Sequence, residues 1–193
     1  MIKYFITHNR HIEETATREQ ESWVYMVNPS EEERLCICEE LDIDKDDLIA
    51  ALDPEEKSRV SVEDNYTLII VDIPVMEIRH GKNEFMTIPL GIIQTNECVI
   101  TVCSQETNIL TSFMENKVRD FTTKKQMRFI YQILFSNCVE FKKNLYIIDK
   151  RRMEIENRIY KETEDADLIA LHELESNLVY FSTSLRANGA VLN

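Results

Sequence analysis

Seven carboxylate side chains lie within 15 residues of one another in the first third of the chain. They are Asp42, Asp44, Asp46, Asp47, Asp53, Glu55 and Glu56. Carboxylate oxygens suit hard cations, and Mg²⁺ typically keeps several waters and binds only one or two carboxylates. The spacing is not that of an EF-hand loop, which disfavours a closed calcium site within one chain. Two interpretations remain open: a loose cation site completed by another subunit, and a solvated acidic face that aids solubility.

The charge of the chain is concentrated around this segment. The 193 residues include 22 Lys and Arg against 35 Asp and Glu, for a net charge of −13. Between residues 13 and 64 there are 18 acidic and 5 basic residues, so this part alone carries the whole excess. Binding to nucleic acid requires clustered Lys and Arg, and we therefore expect no nucleic-acid partner. Repulsion within such a segment is relieved by cations or by a basic partner surface.

Other groups that could do chemistry have a structural explanation. Cys36 and Cys38 would point apart on a helix, and five unpaired cysteines fit a reducing cytosol. His8 and His11 lie three residues apart, which on one strand makes them diverge. There is no nucleophile motif, no glycine-rich phosphate loop and no H-E-x-x-H motif. We expect a protein that is not an enzyme and has no organic cofactor.

Short strands and two short helices are predicted in the first part of the chain. Ser30 and Glu33 form a capping box that begins a helix with Leu35, Ile37, Cys38 and Leu41 facing inward. A second short helix begins near Asp44 and ends near Leu52. Strands are expected at residues 2–7, 12–17, 23–27, 59–63, 67–78, 84–95 and 98–102, and the last three form an antiparallel meander through turns at residues 80–83 and 96–97.

The second part of the chain is predicted to be helical, since residues 122–188 contain neither glycine nor proline. One apolar stripe includes Met127, Ile130, Leu134, Cys138, Phe141, Leu145, Ile148, Ile155 and Ile159. A second includes Leu168, Leu171, Leu174, Leu178, Phe181, Leu185 and Leu192. The polar break at residues 163–167 predicts an antiparallel helical hairpin. Its apolar surface would need a third helix or a neighbouring subunit.

The predicted fold class is α+β. An α/β/α layered domain with a mixed or antiparallel sheet occupies residues 1–121, and a long antiparallel helical hairpin occupies residues 122–193. No apolar run reaches the 18 residues that a transmembrane helix needs.

Several segments, in order along nearly the whole chain, match the motifs of one known family. WVYMVNPSEEE at residues 23–33 is similar to its W-x-x-x-x-N-P-[ST]-x-x-E opening. ALDPEEKSRV at residues 51–60 is similar to its L-D-x-x-E-x-[SP]-R-[VI] segment. YTLIIVDIP, IPLGII and CVITV at residues 66–74, 88–93 and 98–102 continue the match, and LVYFSTSL at 178–185 resembles the helix before the family's stalk. Together these segments resemble the CorA-type family of divalent-cation transporters.

The resemblance implies a funnel-shaped homopentamer with a cytosolic α/β/α domain, long helices and two membrane-spanning helices with a Gly-Met-Asn signature. This sequence contains no Gly-Met-Asn. The implied function is that of a cytosolic regulatory domain of a magnesium or cobalt transporter, ending before the pore. It would lie on the cytoplasmic side of the cell membrane, attached through a C-terminal segment, with Mg²⁺, or alternatively Co²⁺, as the regulatory and transported ion.

The resemblance also directs attention to particular carboxylates. The family senses Mg²⁺ through carboxylates held between neighbouring subunits, one of them on the short helix before the L-D segment. Here that position falls at Ala50, beside Ile49, and neither can bind a cation. Asp46, Asp47 and Asp53 flank it and are the candidate metal ligands.

Two other functions remain open. The first is a stand-alone soluble oligomeric scaffold that binds a partner through its helical hairpin, and the second is a metal-dependent hydrolase that uses the acidic cluster. The coding sequence beyond Asn193 distinguishes them. Two apolar stretches with Gly-Met-Asn between them would favour the transporter, and a stop codon would favour the scaffold.

Overall fold

The structure is a computed structural model that describes residues 1–79, 82–160 and 165–192. The first half of the predicted turn at residues 80–83 and the start of the predicted break at residues 163–167 lie outside the described residues.

A seven-stranded sheet forms the centre of the molecule. Its strands are β1 (Ile2–His8), β2 (His11–Thr15), β3 (Trp23–Val27), β4 (Arg59–Val62), β5 (Tyr66–Arg79), β6 (Lys82–Thr95) and β7 (Val99–Cys103). Their order is β2-β1-β3-β7-β6-β5-β4. Neighbouring strands are antiparallel except β3 and β7, which are parallel. The mixed sheet and the β5–β6–β7 meander are therefore confirmed.

Five helices accompany the sheet within the described residues. They are α1 (Glu31–Leu41), α2 (Lys45–Ala50), α3 (Asn108–Met114), α4 (Gln126–Ile159) and α5 (Asp165–Leu192). The capping box of α1 is present in both directions, because the Ser30 hydroxyl accepts from the Glu33 amide and the Glu33 carboxylate accepts from the Ser30 amide. The short helix α3 was not expected from the sequence.

The helices cover both faces of the sheet, which confirms the α/β/α layers. On one face, Ile37 of α1 and Leu48 of α2 pack in a core with Val24 and Ile100. On the other, α3 and the first half of α4 pack over an aromatic cluster around Trp23. Its ring centroid lies 5.1 Å from that of Phe129 and 6.3 Å from that of Phe113.

The division at residues 1–121 and 122–193 stays a prediction. Phe121 and Phe129 lie on either side of it, and their ring centroids are 4.7 Å apart.

Some of the residues predicted to face inward do not. Ile37 and Cys38 of α1 are buried as expected, but Leu35 is 43% exposed. In α4, Ile130, Leu134, Phe141, Ile148 and Ile155 are buried, whereas Met127 and Cys138 are exposed. The helix buries Phe129, Ile133 and Asn137 instead. A second apolar face of α4 therefore remains on the surface.

Helices α4 and α5 form the predicted antiparallel hairpin. Near the connection Arg158 donates to Asp167, at 2.7 Å from Nη2 to Oδ1, and further along the ring centroids of Phe141 and Phe181 are 5.2 Å apart. Leu174 is buried in the same core. Within the described ranges no helix is both long enough and apolar enough to cross a lipid bilayer.

Two asparagines attach this hairpin to an open edge of the sheet. Strand β4 pairs only with residues 67–70 of β5, and no other strand among the described residues pairs with this edge of β5. The Asp72 amide donates to Asn188 Oδ1 at 2.8 Å, and the Asp72 carbonyl accepts from the Nδ2 groups of Asn188 and Asn137, both at 2.8 Å. The side chains of α4 and α5 thus replace the missing strand.

Candidate metal centre

The short helix α2 is held against the sheet by an unusually close approach. Leu48 and Ala51 are buried beneath it, and a Cβ atom at Gly91 of β6 would lie 2.4 Å from the Ala51 Cβ. Asp44 caps the helix, because its Oδ1 accepts from the Asp46 amide at 2.9 Å. With its apolar side buried, α2 directs Asp46 to the surface.

Asp47 is engaged in contacts within the chain. Its Oδ1 accepts from Arg59 Nη2 at 3.2 Å, and its Oδ2 accepts from the Tyr66 hydroxyl at 2.7 Å. Arg59 also pairs with Glu56 at 2.8 Å. Burial, together with the hydrogen bond to Asp47, raises the pKa of Tyr66 to about 12, so the phenol stays protonated and donates at neutral pH. Both carboxylate oxygens of Asp47 are therefore occupied.

Asp53 follows α2 in an exposed turn. Its Oδ1 accepts from the Glu55 amide at 3.0 Å, which shapes the turn, and its carbonyl accepts from the Glu56 amide. Ala50 is half-buried and Ile49 is 43% exposed, and neither side chain has an atom that could bind a cation. Asp46 and Asp53 are thus the two predicted ligands whose carboxylates face solvent.

The three aspartates do not converge on one point. Among the described residues, no group of three or more His, Cys, Asp or Glu side chains is placed so that it could hold a metal ion. Mg²⁺ commonly binds through one or two carboxylates plus water, and this mode suits Asp46 and Asp53. Asp47 is the least available of the three, because each of its oxygens already accepts a hydrogen bond and Arg59 supplies a positive charge beside it. Two exposed carboxylates can each offer oxygen ligands to a hydrated divalent ion.

The histidines and cysteines have other arrangements. His8 and His11 do not share a strand: they face each other across the turn between β1 and β2, so the expectation of divergence on one strand was wrong. Cys98 and Cys103 belong to the cores on opposite faces of the sheet.

Two partners in this region were not identified from the sequence. Arg59 and Tyr66 lie 12 and 19 residues from Asp47, and they meet it only because β4 and β5 pair beside α2. A local sequence signal for them was weak: Arg59 stands in the segment at residues 51–60, and Tyr66 begins a strand, where a tyrosine is ordinary.

Solved structures share this fold. The soluble domain of CorA from Methanocaldococcus jannaschii superimposes with a TM-score of 0.85 at 23% identity, covering 100% of this chain and 77% of that one. The complete CorA magnesium transporter of the same organism gives a TM-score of 0.80 at 20% identity, covering 97% of this chain and 60% of that one.

Comparisons of the amino-acid sequence lead to the same family as the comparison of folds. A family model described as CorA-like Mg²⁺ transporter protein matches residues 18–193, and the chain belongs to this family. A curated relative, the cobalt/magnesium transport protein CorA of M. jannaschii, is 25% identical over 174 residues, which are 88% of this chain and 53% of the relative. The chain therefore spans about half the length of that relative.

Proposed function

We propose that this chain is the metal-sensing regulatory domain of a CorA-like transporter. Mg²⁺ or Co²⁺ is the regulatory ion and also the transported substrate. The domain works in a homopentamer on the cytoplasmic side of the cell membrane, joined to the membrane by a C-terminal segment, and it performs no catalysis. Membership in the family supports this proposal, as does the name of the curated relative, a cobalt/magnesium transport protein.

One observation carries the sensing role: Asp46 on α2 and Asp53 in the turn after it are carboxylates that no cation among the described residues neutralises. Asp46 and Asp53 are exposed, and within the described residues neither side chain has an ion-pair partner. Two faces that carry such carboxylates repel when they approach each other in an oligomer, and a divalent cation between them removes the repulsion. Asp46, Asp47 and Asp53 are the proposed ligands, with Asp46 and Asp53 immediately available.

The proposed mechanism is a shift between two arrangements of the subunits. A cation bound between neighbouring faces favours a closed, symmetric ring, because it binds that arrangement more tightly than the open one. When the concentration of Mg²⁺ falls, repulsion separates the faces and the pore opens. Only this difference in affinity drives the change, since an ion that bound both arrangements equally would shift nothing.

The test uses the full-length transporter. Replacement of Asp46, Asp47 and Asp53 by Asn is expected to abolish inhibition of uptake by cytosolic Mg²⁺, so that uptake continues at concentrations that close the unaltered protein. A matched control replaces the exposed Glu31, Glu32 and Glu39 of α1 by Gln, which removes the same charge from the same layer. Unchanged inhibition in the aspartate variant would contradict the proposed sensing site. An equal response in both variants would contradict a role specific to these aspartates.

A second function is favoured by the exposed apolar face of α4. Tyr131, Phe135 and Tyr146 lie on it, and Phe135 is 71% exposed. Such a surface suits a soluble scaffold that binds a partner through its hairpin. Fractionation of cells that express the native gene separates the two: the transporter is recovered with membranes, and the scaffold is recovered in the soluble fraction.

A further inference from the structure

A positively charged cleft lies away from the acidic helices α1 and α2. It has a volume of about 460 Å³ and is formed by the turn between β1 and β2 and by the segment leading into α4. Of the described residues, four cations and one carboxylate line it: Arg10, Lys124, Lys125, Arg128 and Asp120. His8 adds an imidazole. In a chain with a net charge of −13, this concentration of cations requires an explanation.

The cations of the cleft are only partly neutralised by the protein. Asp120 lies 3.7 Å from Arg128 and is shared with Arg119, which lies outside the cleft. Lys124 reaches Glu21 only at 4.0 Å. In the part of the chain that the structure describes, Arg10 and Lys125 have no carboxylate within ion-pair distance. The cleft thus retains an excess of positive charge.

The walls of the cleft are built by buried contacts. The Thr7 amide donates to the Thr123 hydroxyl at 3.2 Å, and the Thr123 amide donates to the Thr7 hydroxyl at 3.0 Å. Both threonines are buried, so this reciprocal pair attaches β1 firmly to the segment before α4. Asn9 and Arg10 form the tight turn between β1 and β2, with φ angles of 49° and 69°. The cations therefore project from a rigid frame.

We propose that this cleft binds a small, multiply charged phosphate anion of about the size of pyrophosphate. Guanidinium groups match phosphate oxygens with two parallel hydrogen bonds, and ammonium groups add compact charge. The volume lies within the usual range for small-ligand sites. The first turn of α4 contains no acidic residue that would repel the anion. The phosphate can belong to a free compound or to the headgroup of an anionic lipid. The inference is independent of the proposed metal sensing, because the two sites share no residue.

The first experiment measures binding of inorganic pyrophosphate to the full chain by titration calorimetry in EDTA, which keeps divalent metals out of the measurement. The double variant Arg10→Gln/Lys125→Gln is expected to raise the Kd by roughly tenfold or more, since each lost contact is charge-assisted. The matched control Lys142→Gln/Lys150→Gln removes the same charge from the exposed side of α4 and is expected to bind as the unaltered chain does. Circular dichroism verifies that all three proteins are folded.

The second experiment identifies the source of the phosphate. Co-sedimentation is measured with phosphatidylcholine vesicles, with and without phosphatidic acid. Binding of pyrophosphate that the cleft variant loses supports a free compound. Binding only to phosphatidic acid, lost in the same variant, supports a headgroup. The proposal is overturned if neither probe binds, if the cleft variant binds as well as the unaltered chain, or if the control variant loses as much affinity as the cleft variant.

Discussion

Asp47 is a structural residue as much as a candidate ligand. Its two oxygens accept hydrogen bonds from Arg59 and Tyr66. The side chain of Asp47 is 18% exposed and that of Arg59 is 35% exposed. We expect Asp47→Asn to lower the free energy of unfolding by about 1–2 kcal/mol, because the ion pair is lost while the amide still fills the space. Asp46→Asn and Asp53→Asn are expected to change it by less than about 0.5 kcal/mol. Urea denaturation of the three variants measures these differences.

These stabilities matter for the interpretation of transport experiments. A loss of Mg²⁺ inhibition in Asp47→Asn that accompanies lower stability points to a disturbed helix α2. A loss of inhibition in Asp46→Asn or Asp53→Asn, with stability unchanged, points to lost ligation. An Asp47→Asn variant as stable as the unaltered chain would contradict the structural role of this residue.

Asp72 is the second residue whose environment has a measurable consequence. Burial raises the pKa of its carboxyl, and a hydrogen bond from Ser184 offsets only part of this effect. The pKa of Asp72 in the folded chain lies above the unfolded value of about 3.9, so the protonated carboxyl favours the folded state. This contribution to the free energy of unfolding is fully present below about pH 3.9 and is lost as the pH rises through the folded pKa. Ionised Asp72 therefore costs stability at neutral pH.

Replacement of Asp72 by Asn tests this sign, because Asn resembles the protonated acid and leaves the main-chain hydrogen bonds in place. We expect the variant to have a Tm higher by roughly 1–3 °C at pH 7, and the difference to disappear near pH 4. Thermal denaturation followed by circular dichroism at the two pH values provides the measurement. A variant less stable at pH 7 would show that the ionised carboxylate is well solvated.

At the scale of elements, Gly91 determines how closely α2 approaches β6. A Cβ atom there would lie 2.4 Å from the Ala51 Cβ, so Gly91→Ala must displace the end of α2. We expect a loss of about 2 kcal/mol in the free energy of unfolding. Gly189 of α5 is the matched control: an added Cβ meets no atom within 4 Å, and Ala is a better helix former. Gly189→Ala should therefore be neutral or stabilising by up to about 1 kcal/mol. Equal effects of the two substitutions in chemical denaturation would contradict this account.

Elements that depend on residues close together in the sequence could be predicted, whereas features that depend on distant residues could not. The capping box at Ser30 and the positions of the strands depend on local sequence, and both are predicted correctly. Leu35, Met127 and Cys138 were misplaced because α1 and α4 carry more apolar residues than one buried face can hold. Periodicity detects an apolar face, but it does not tell which of two such faces meets the sheet. The parallel pairing of β3 with β7 joins residues more than 70 positions apart and has no local signal.

The candidate site was predictable to a similar degree. The acidic segment is evident from the sequence itself, and carboxylates without a partner are expected on the surface. The hydrogen bond from Tyr66 to Asp47 could not be predicted, because it depends on how β5 lies beside α2 in the folded chain. The cleft near Arg10 was also missed, since it joins a turn at the start of the chain to residues more than 110 positions later.

For the molecule as a whole, the reactivity of the five cysteine thiols can be used to check which side chains are buried. Cys36 and Cys138 are exposed, whereas Cys38, Cys98 and Cys103 are buried. Burial raises the pKa of the Cys98 thiol, and it raises that of Cys103 to about 12, so neither forms a thiolate at neutral pH. We expect two thiols to react rapidly with Ellman's reagent in the folded chain, and five after denaturation.

Cys138 also reports association, because it lies beside Phe135 on the exposed face of α4. Protection of this thiol as the protein concentration rises would show that the face is covered by another copy. Cys36 serves as the internal reference for reactivity. Rapid reaction of more than two thiols in the folded chain would contradict the packing of the two cores.

The asparagine contacts at the edge of β5 restrict how a signal could pass through the molecule. A slip of α5 by one helical turn, about 5.4 Å, would take Asn188 away from Asp72 and leave a main-chain donor without its partner, at a cost of about 1–3 kcal/mol. Sliding of α5 along β5 is therefore disfavoured. A conformational change that connects the acidic helix α2 with the C-terminal end of α5 is expected to move β5 and α5 together as one rigid unit.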